Sequence, residues 1–169
     1  NELRIKIGQS IVVIGCGGVG LNVIQGAMLA SAYPIIGIDI LEEKLQKAIS
    51  TGATQCINFA QGGLDTLIKA MTNGGADIVV DTTGKSDVME MAWNMTAPTG
   101  VLCLVAQLSS EKKMSFNPLA MHGGKRIIGS DGGATNPTED IPRYIKLLKA
   151  GRLDLKSLIT HVVGLRDIN

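Results

Sequence analysis

Short β-branched runs alternate with longer amphipathic stretches through most of the chain, and this alternation limits the possible folds more than any other feature. Several runs are apolar on both faces, as expected of parallel strands that helices cover on two sides. Repeated strand–helix alternation implies βαβ units with right-handed crossovers. The sequence therefore predicts an α/β fold, a doubly wound parallel six-stranded sheet with strand order 3-2-1-4-5-6. The six runs are Ile11–Ile14, Ile35–Ile38, Cys56–Phe59, Ile78–Val80, Leu102–Val105 and Arg126–Gly129.

The last amphipathic stretch predicts a helix whose apolar face is formed by Ile141, Tyr144, Ile145 and Leu148. Pro142 falls in the first turn of this predicted helix, and Gly151 ends it. The chain has 169 residues, which suffice for one core but not for two ordinary domains. We therefore expect a single domain over residues 1-169.

The composition excludes several classes of partner. Charged residues make up 18% of the chain, the net charge is +1, and no basic cluster occurs, which argues against nucleic acid and charged membrane surfaces. No apolar run reaches the ~20 residues that span a bilayer, and the mixed opening Asn1–Arg4 is unlike a signal peptide. Cys16, Cys56 and Cys103 are widely spaced and odd in number, which is typical of reduced thiols in a cytoplasmic protein.

A glycine-rich turn after the first run is the strongest functional motif. It has the pattern G-x-G-x-x-G between a predicted strand and a predicted helix, the context in which this pattern binds dinucleotides. The first glycine permits a tight turn, the second lets backbone approach a pyrophosphate, and the third lets helix pack on strand. The helix N-terminus then favours phosphate charge. The predicted pyrophosphate loop of this Rossmann domain consists of Gly15, Gly17, Gly18, Val19 and Gly20.

An acidic residue ends the second run, as this fingerprint requires. Asp39 lies 19 residues after Gly20, close to the usual spacing of ~20. A carboxylate there accepts both hydroxyls of an adenosine ribose and repels a 2′-phosphate, so we predict NAD in preference to NADP. Lys44, in the following helix, is predicted to reach the same ribose. The alternatives are a helix cap for Asp39 and a solvated helix face for Lys44.

The remaining predicted contacts follow strands four, five and six. In this topology the dinucleotide lies across the carboxyl ends of the strands where the order reverses. Thr82 and Thr83 follow strand four and are predicted to contact the dinucleotide. Val105, Gln107 and Ser130 follow strands five and six and are predicted to line the nicotinamide side. Cys16 lies beside a helix N-terminus that would lower its pKa, although its neighbours favour an ordinary small residue.

These motifs resemble the coenzyme domain of the zinc-type medium-chain alcohol dehydrogenases, in order and over nearly the whole chain. The resemblance is carried by Ile14–Leu21, Ile36–Ile40 with Lys44, Thr51–Asn58, Phe116–Pro118, Arg126–Ser130, Leu158–His161 and Leu165–Asn169. It implies hydride transfer between an alcohol and NAD, with a zinc ion acting on the alcohol or carbonyl oxygen.

Two departures from the family limit what the resemblance implies. The family's catalytic zinc ligands and its four-cysteine zinc lobe have no counterparts in this sequence, so zinc is expected in a catalytic domain that this chain lacks. The loop Ser130–Gly133 is one residue shorter than in the animal liver enzymes. We assign no catalytic residue and no metal ligand to this chain, and we expect structural roles for His122 and His161.

Residues 113-117 resemble the edge strand through which the family's coenzyme domains pair across a two-fold axis. Met114 and Phe116 alternate with Ser115 and Asn117, as in an added strand. This resemblance implies a homodimer with a continuous sheet, and the alternative is a surface hairpin.

Three other functions use a similar glycine loop and strand-two acid. They are a stand-alone NAD-sensing or binding module, a zinc-free medium-chain reductase and a methyltransferase. The family-like run Leu158–Asn169 favours the dehydrogenase, because a methyltransferase sheet should end in a reversed hairpin strand.

Overall fold

The six predicted strands form one fully parallel sheet in the order β3-β2-β1-β4-β5-β6. We describe the fold from a computed structural model, which defines residues 3–168. The observed order confirms the predicted 3-2-1-4-5-6 topology. The strands are β1 (Ile11–Ile14), β2 (Ile35–Asp39), β3 (Gln55–Asn58), β4 (Ala76–Asp81), β5 (Thr96–Leu104) and β6 (Arg126–Gly129).

A helix follows each of the first four strands, as the alternation predicts. The chain divides into two compact units, the first ending at Thr135 and the second beginning at Asn136. All six strands and the first five helices belong to the first unit. A single domain over residues 1-169 stays a prediction. The helices are α1 (Gly18–Leu29), α2 (Glu42–Thr51), α3 (Leu64–Met71), α4 (Ser86–Met95), α5 (Leu119–His122) and α6 (Pro137–Lys149).

The core lies on the central strands and explains why their sequences lack a polar face. Every residue of β1 and β2 is buried, since helices cover both sides of the sheet. Ile36 and Leu102 are fully buried in one cluster with Ile68 of α3 and Ala92 of α4. Burying each large aliphatic side chain of this kind contributes about 1.5–3 kcal/mol of transfer free energy. The core therefore fixes the central strands rigidly, and with them the loops at their ends.

Helix α6 begins earlier than predicted. Pro137 occupies its first turn, where a missing N–H costs nothing, and acidic Glu139 and Asp140 follow at the positive end of the helix dipole. Pro142 consequently lies inside the helix, and its placement in the first turn was wrong. Two prolines lie five residues apart here, and the helix begins at the first of them rather than near the second.

The edge-strand segment forms no strand within the described chain. Residues 113–117 have no sheet partner, and the Ser115 amide donates to Oε1 of Glu90 at 2.8 Å instead. Met114 is partly buried against the core, and the Phe116 ring packs on Trp93 with 5.1 Å between ring centroids.

Among residues 3–168, no helix combines the length and hydropathy of a bilayer-crossing segment.

Candidate functional site

A crevice of about 410 Å³ opens where β1, β2 and β4 end. Parallel pairing places Ile14 beside Ile38 on one side and beside Asp81 on the other. The strand order reverses at β1, which is where doubly wound sheets bind ligands. The crevice is lined by Ile14, Gly15, Gly17, Gly18, Val19, Ile38, Asp39, Ile40, Lys44, Phe59, Thr82, Thr83, Lys85, Asp87 and Val88.

The glycines of the turn have two distinct environments. Gly15 has φ +93°, and a Cβ there would overlap the Thr82 hydroxyl. A Cβ on Gly20 would strike the Gly15 carbonyl oxygen, so glycine at this position allows the first turn of α1 to pack on the loop. Gly17 and Gly18 instead have open space around the Cβ position and line the crevice. Two glycines therefore shape the loop, and two leave its backbone accessible to a ligand.

Asp39 joins the glycine turn to the end of β2. The residue is 8% exposed and lines the crevice. Its Oδ2 accepts from the Cys16 amide at 2.8 Å, and its Oδ1 accepts from the Leu41 amide at 3.0 Å. The N-cap residue of α2 is Leu41, so Asp39 is not the helix cap of the alternative interpretation, although it binds the amide of that residue. Each carboxylate oxygen has further lone pairs, which leaves capacity to accept hydroxyl groups.

The two threonines after β4 brace the crevice through their hydroxyls. Thr82 Oγ1 lies 3.0 Å from the Ile14 carbonyl oxygen and 2.9 Å from that of Gly15. Thr83 Oγ1 donates to Oδ1 of the fully buried Asp81 at 2.6 Å. Both hydroxyl protons are therefore donated to acceptors within the protein. The threonines contact the crevice mainly through their surface rather than as hydrogen-bond donors to a ligand.

The residues predicted for the nicotinamide side lie apart from this crevice. Val105 and Ser130 line a second cavity of about 500 Å³, together with Val80 and Cys103. Gln107 lines neither cavity, and its carbonyl oxygen lies close to Gly84. Lys44 does line the crevice with Asp39. The structure therefore brings the loop, Asp39, Lys44 and both threonines together, but not the residues after β5 and β6.

Sequence reasoning missed several residues at the far wall of the crevice. Phe59 directly follows β3, and Ile40 directly follows β2, so the carboxyl-end rule that selected Thr82 also selects them. Lys85, Asp87 and Val88 belong to the start of α4. Half-buried Phe59 and buried Val88 give this wall an apolar surface suited to a flat ring.

Cys16 is a buried thiol, in line with the ordinary small residue that its neighbours favour, and the helix N-terminus beside it does not lower its pKa. The side chain is 1% exposed, and its Sγ lies 3.7 Å from the Ile38 carbonyl oxygen. Burial, reinforced by the nearby Cys56 and Asp39, raises the pKa of Cys16 to about 12, and the ammonium of Lys44 offsets little of this. Desolvation disfavours the thiolate more than the helix dipole can stabilise it.

We expect Cys16 to resist alkylation by iodoacetamide at pH 8, because the thiolate is the nucleophile. Mass spectrometry of the folded chain should show little modification of its peptide, and guanidinium-unfolded chain provides the control.

The raised pKa of Cys16 also makes the folding stability depend on pH. The unfolded chain loses this proton above about pH 9, so folding stability should fall as the pH rises from 9 toward 12. Rapid alkylation of the folded chain would contradict this account.

The described residues do not fit a zinc ion. Within residues 3–168, no three His, Cys, Asp or Glu side chains lie close enough together to hold a metal. His161 contacts its neighbour Thr160, with 3.0 Å between Nδ1 and Oγ1. Structural zinc requires four such ligands and catalytic zinc three. This part of the chain thus supplies no metal chemistry of its own.

Comparisons with known proteins identify relatives of the whole chain. The family described as zinc-binding dehydrogenase matches residues 18–150. Alcohol dehydrogenase class-2 isozyme 2 of Oryctolagus cuniculus is 31% identical over 172 aligned residues, which cover all of this chain and 45% of the relative. Alcohol dehydrogenase 6 of Peromyscus maniculatus is 32% identical and is covered to 46%. The chain therefore spans about half the length of these curated relatives.

Solved structures agree with the observed fold. Benzyl alcohol dehydrogenase from Acinetobacter calcoaceticus superposes with a TM-score of 0.90 at 28% identity, over 94% of this chain and 44% of the other. A Sinorhizobium meliloti structure titled a zinc-binding dehydrogenase bound to NADP superposes with a TM-score of 0.81 at 23% identity, over 92% and 46% of the two chains, and shows the fold alone. Family match, identity and topology agree, and the chain belongs to the zinc-binding dehydrogenase family.

Proposed function

We propose that this chain is the NAD-binding part of an alcohol dehydrogenase. One observation carries the proposal: a buried carboxylate, Asp39, lines the same crevice as the open glycines Gly17 and Gly18. Open backbone at a helix start suits a pyrophosphate, and an acid at the end of β2 suits a ribose diol. When bound, the nicotinamide cofactor supplies the hydride acceptor or donor.

The residues of the chain would then bind and orient the cofactor. The amides of Gly17–Val19 would receive phosphate charge at the first turn of α1. Asp39 would accept the ribose hydroxyls, with Lys44 on the same wall. Phe59 and Val88 would exclude water from the adenine. Val105, Gln107 and Ser130 remain proposed for the nicotinamide side, which the second cavity would serve.

We infer a preference for NAD over NADP from the charge at the ribose end of the crevice. A 2′-phosphate would bring a dianion beside the Asp39 carboxylate, which already accepts two backbone amides and is held in place. The negative charges of the phosphate and the carboxylate would repel each other at this short range. Lys44 lines the crevice together with Asp39, and its positive charge would offset the repulsion only in part.

The substrate, metal and assembly proposals rest on the family. The relatives are named as alcohol dehydrogenases, and the chain covers about 45% of one of them. We propose an alcohol, or the corresponding aldehyde or ketone, as substrate, with zinc ligands supplied by a catalytic domain outside this sequence and a cytoplasmic location. We propose a homodimer through residues 113-117, a segment that pairs with no strand of the sheet within the described chain. Monomer mass in analytical ultracentrifugation at micromolar concentration would contradict pairing.

Titration with NADH tests the proposal directly. We expect saturable enhancement of NADH fluorescence by the 169-residue chain, with weak affinity. We expect no oxidation of alcohols, because the proposed zinc ligands belong to a catalytic domain outside this sequence. Lys149→Met, which removes an exposed lysine from α6, serves as a control and should bind NADH as the unmodified chain does. Absence of NADH binding by folded chain would refute the proposal. Alcohol oxidation by this chain alone would refute the proposal that catalysis requires a second domain.

A further inference from the structure

A third cavity lies at the amino ends of the strands, whereas the crevice lies at their carboxyl ends. Its volume is about 560 Å³. Gly74 precedes β4, Thr96 begins β5, and Lys125 precedes β6, so the cavity lies at the amino ends of these parallel strands. Four residues of strand at ~3.3 Å each separate the two edges by at least roughly 13 Å. The lining residues are Lys69, Gly74, Trp93, Asn94, Thr96, Pro98, Asn117, Leu119, Ala120, Gly123 and Lys125.

Lys125 is a buried cation with an aromatic partner and no anionic one. The residue is 7% exposed, and its Nζ lies 4.3 Å from the centroid of the Trp93 ring. Trp93 is itself buried, and packs against Phe116. Within residues 3–168, no carboxylate lies within 4.0 Å of this ammonium. A cation–π contact recovers only part of the solvation that a buried charge loses.

The charges that line the cavity are all positive. Lys69 of α3 is the other titratable residue in the lining, and no aspartate or glutamate belongs to it. Burial, followed by repulsion from Lys69, lowers the pKa of Lys125 to about 8. An anion in the cavity would relieve both effects, since it would pair with the buried ammonium and screen it from Lys69.

We propose that this cavity is a binding site for a small organic anion, with its charged head between Lys125 and Lys69. The rest of the lining suits such a ligand. Asn117 accepts the Leu119 amide through Oδ1 at 2.9 Å, which leaves its amide protons free to donate. Pro98, Leu119 and Ala120 offer apolar surface for a short hydrocarbon body. The site is independent of the nucleotide crevice.

The chain carries its own reporter for this site, because Trp93 is its one tryptophan. We would titrate tryptophan fluorescence at pH 7 with hexanoate and with hexanamide, its neutral counterpart. We expect saturation by hexanoate and at least tenfold weaker binding of hexanamide. Hydrogen bonds to charged groups are roughly twice as strong as neutral ones, and a tenfold change in affinity corresponds to about 1.4 kcal/mol. Hexanoate affinity should fall as the pH rises through about 8, where Lys125 loses its proton.

Variants separate an anion site from a structural cation–π pair. Lys125→Met should raise the dissociation constant for hexanoate at least tenfold, and Lys125→Arg should preserve binding. Exposed Lys69→Met should raise it several-fold without a cost in folding, and exposed Lys112→Met serves as the matched control. Equal affinity for hexanoate and hexanamide would overturn the proposal. So would equal hexanoate affinity in Lys112→Met and Lys69→Met, a comparison that stands even if Lys125→Met fails to fold.

Discussion

Replacing Asp39 with glycine is expected to shift the ratio of NADH to NADPH dissociation constants by roughly 100-fold in favour of NADPH. Two unit charges about 4 Å apart interact with about 4 kcal/mol at an effective dielectric constant of 20. The open crevice mouth weakens this, and a factor of 100 corresponds to about 2.8 kcal/mol. The substitution removes repulsion from the 2′-phosphate of NADPH and also removes the acceptor for the ribose diol of NADH.

The control for this prediction is Asp39→Asn, because Asp39 also has a structural role. Its carboxylate accepts the amides of Cys16 and Leu41, and glycine leaves both without this partner. Asparagine keeps the side-chain shape and one acceptor oxygen but removes the charge. We therefore expect it to improve NADPH binding with a smaller loss of thermal stability than glycine causes.

Fluorescence titration of both cofactors, with thermal unfolding of each variant, measures these effects separately. If the unmodified chain binds NADPH as tightly as NADH, the assigned role of Asp39 is wrong. If the glycine variant loses both cofactors equally and unfolds at lower temperature, Asp39 acts only by holding the turn.

The topology could be predicted because each of its determinants is local in sequence. The strands that the sequence predicts at Ile11–Ile14 and Ile35–Ile38 are buried on both faces, and uninterrupted apolar runs of this length leave little alternative to a central parallel strand. Right-handed crossovers then restrict how such strands can be connected. The close packing of Gly20 was predictable for the same reason, because an added Cβ there meets the Gly15 carbonyl of its own loop, whereas Gly15 faces Thr82, which is distant in sequence.

Properties that depend on contacts distant in sequence could not be predicted in this way. Cys16 lies beside a helix N-terminus in the sequence, but its burial raises its pKa, and this burial depends on elements distant in sequence. The Thr82 hydroxyl is directed to backbone carbonyls some 68 residues earlier in the chain. Lys125 and Trp93 meet only because the fold brings the residue before β6 next to α4. No periodicity or spacing encodes these pairings.

Gly20→Ala and Gly17→Ala are both expected to weaken NADH binding, but only Gly20→Ala is expected to destabilise the fold, although the two residues lie three positions apart. A Cβ at Gly20 would strike the Gly15 carbonyl oxygen and approach its carbon to 3.0 Å, and neither backbone atom can move without shifting β1 or α1. Overpacking of this kind costs about 1–3 kcal/mol and occasionally more. Because the clash is with backbone, we expect the upper end of this range, a clear fall in melting temperature and loss of NADH binding.

At Gly17 an added Cβ meets no atom within 4 Å, so the folded chain without cofactor should tolerate alanine. Gly17 precedes α1 with φ −77°, an angle that alanine adopts readily, and the position lines the crevice. The methyl group would therefore occupy space that a pyrophosphate needs, and we expect an unchanged melting temperature with at least tenfold weaker NADH binding. Gly123→Ala is the control for the substitution itself, since Gly123 has φ −81°, leaves at least 3.4 Å around an added Cβ and lines neither the crevice nor the second cavity. NADH binding that survives Gly17→Ala undiminished would mean that the ligand does not approach this backbone, and the glycine turn would then have only a structural role.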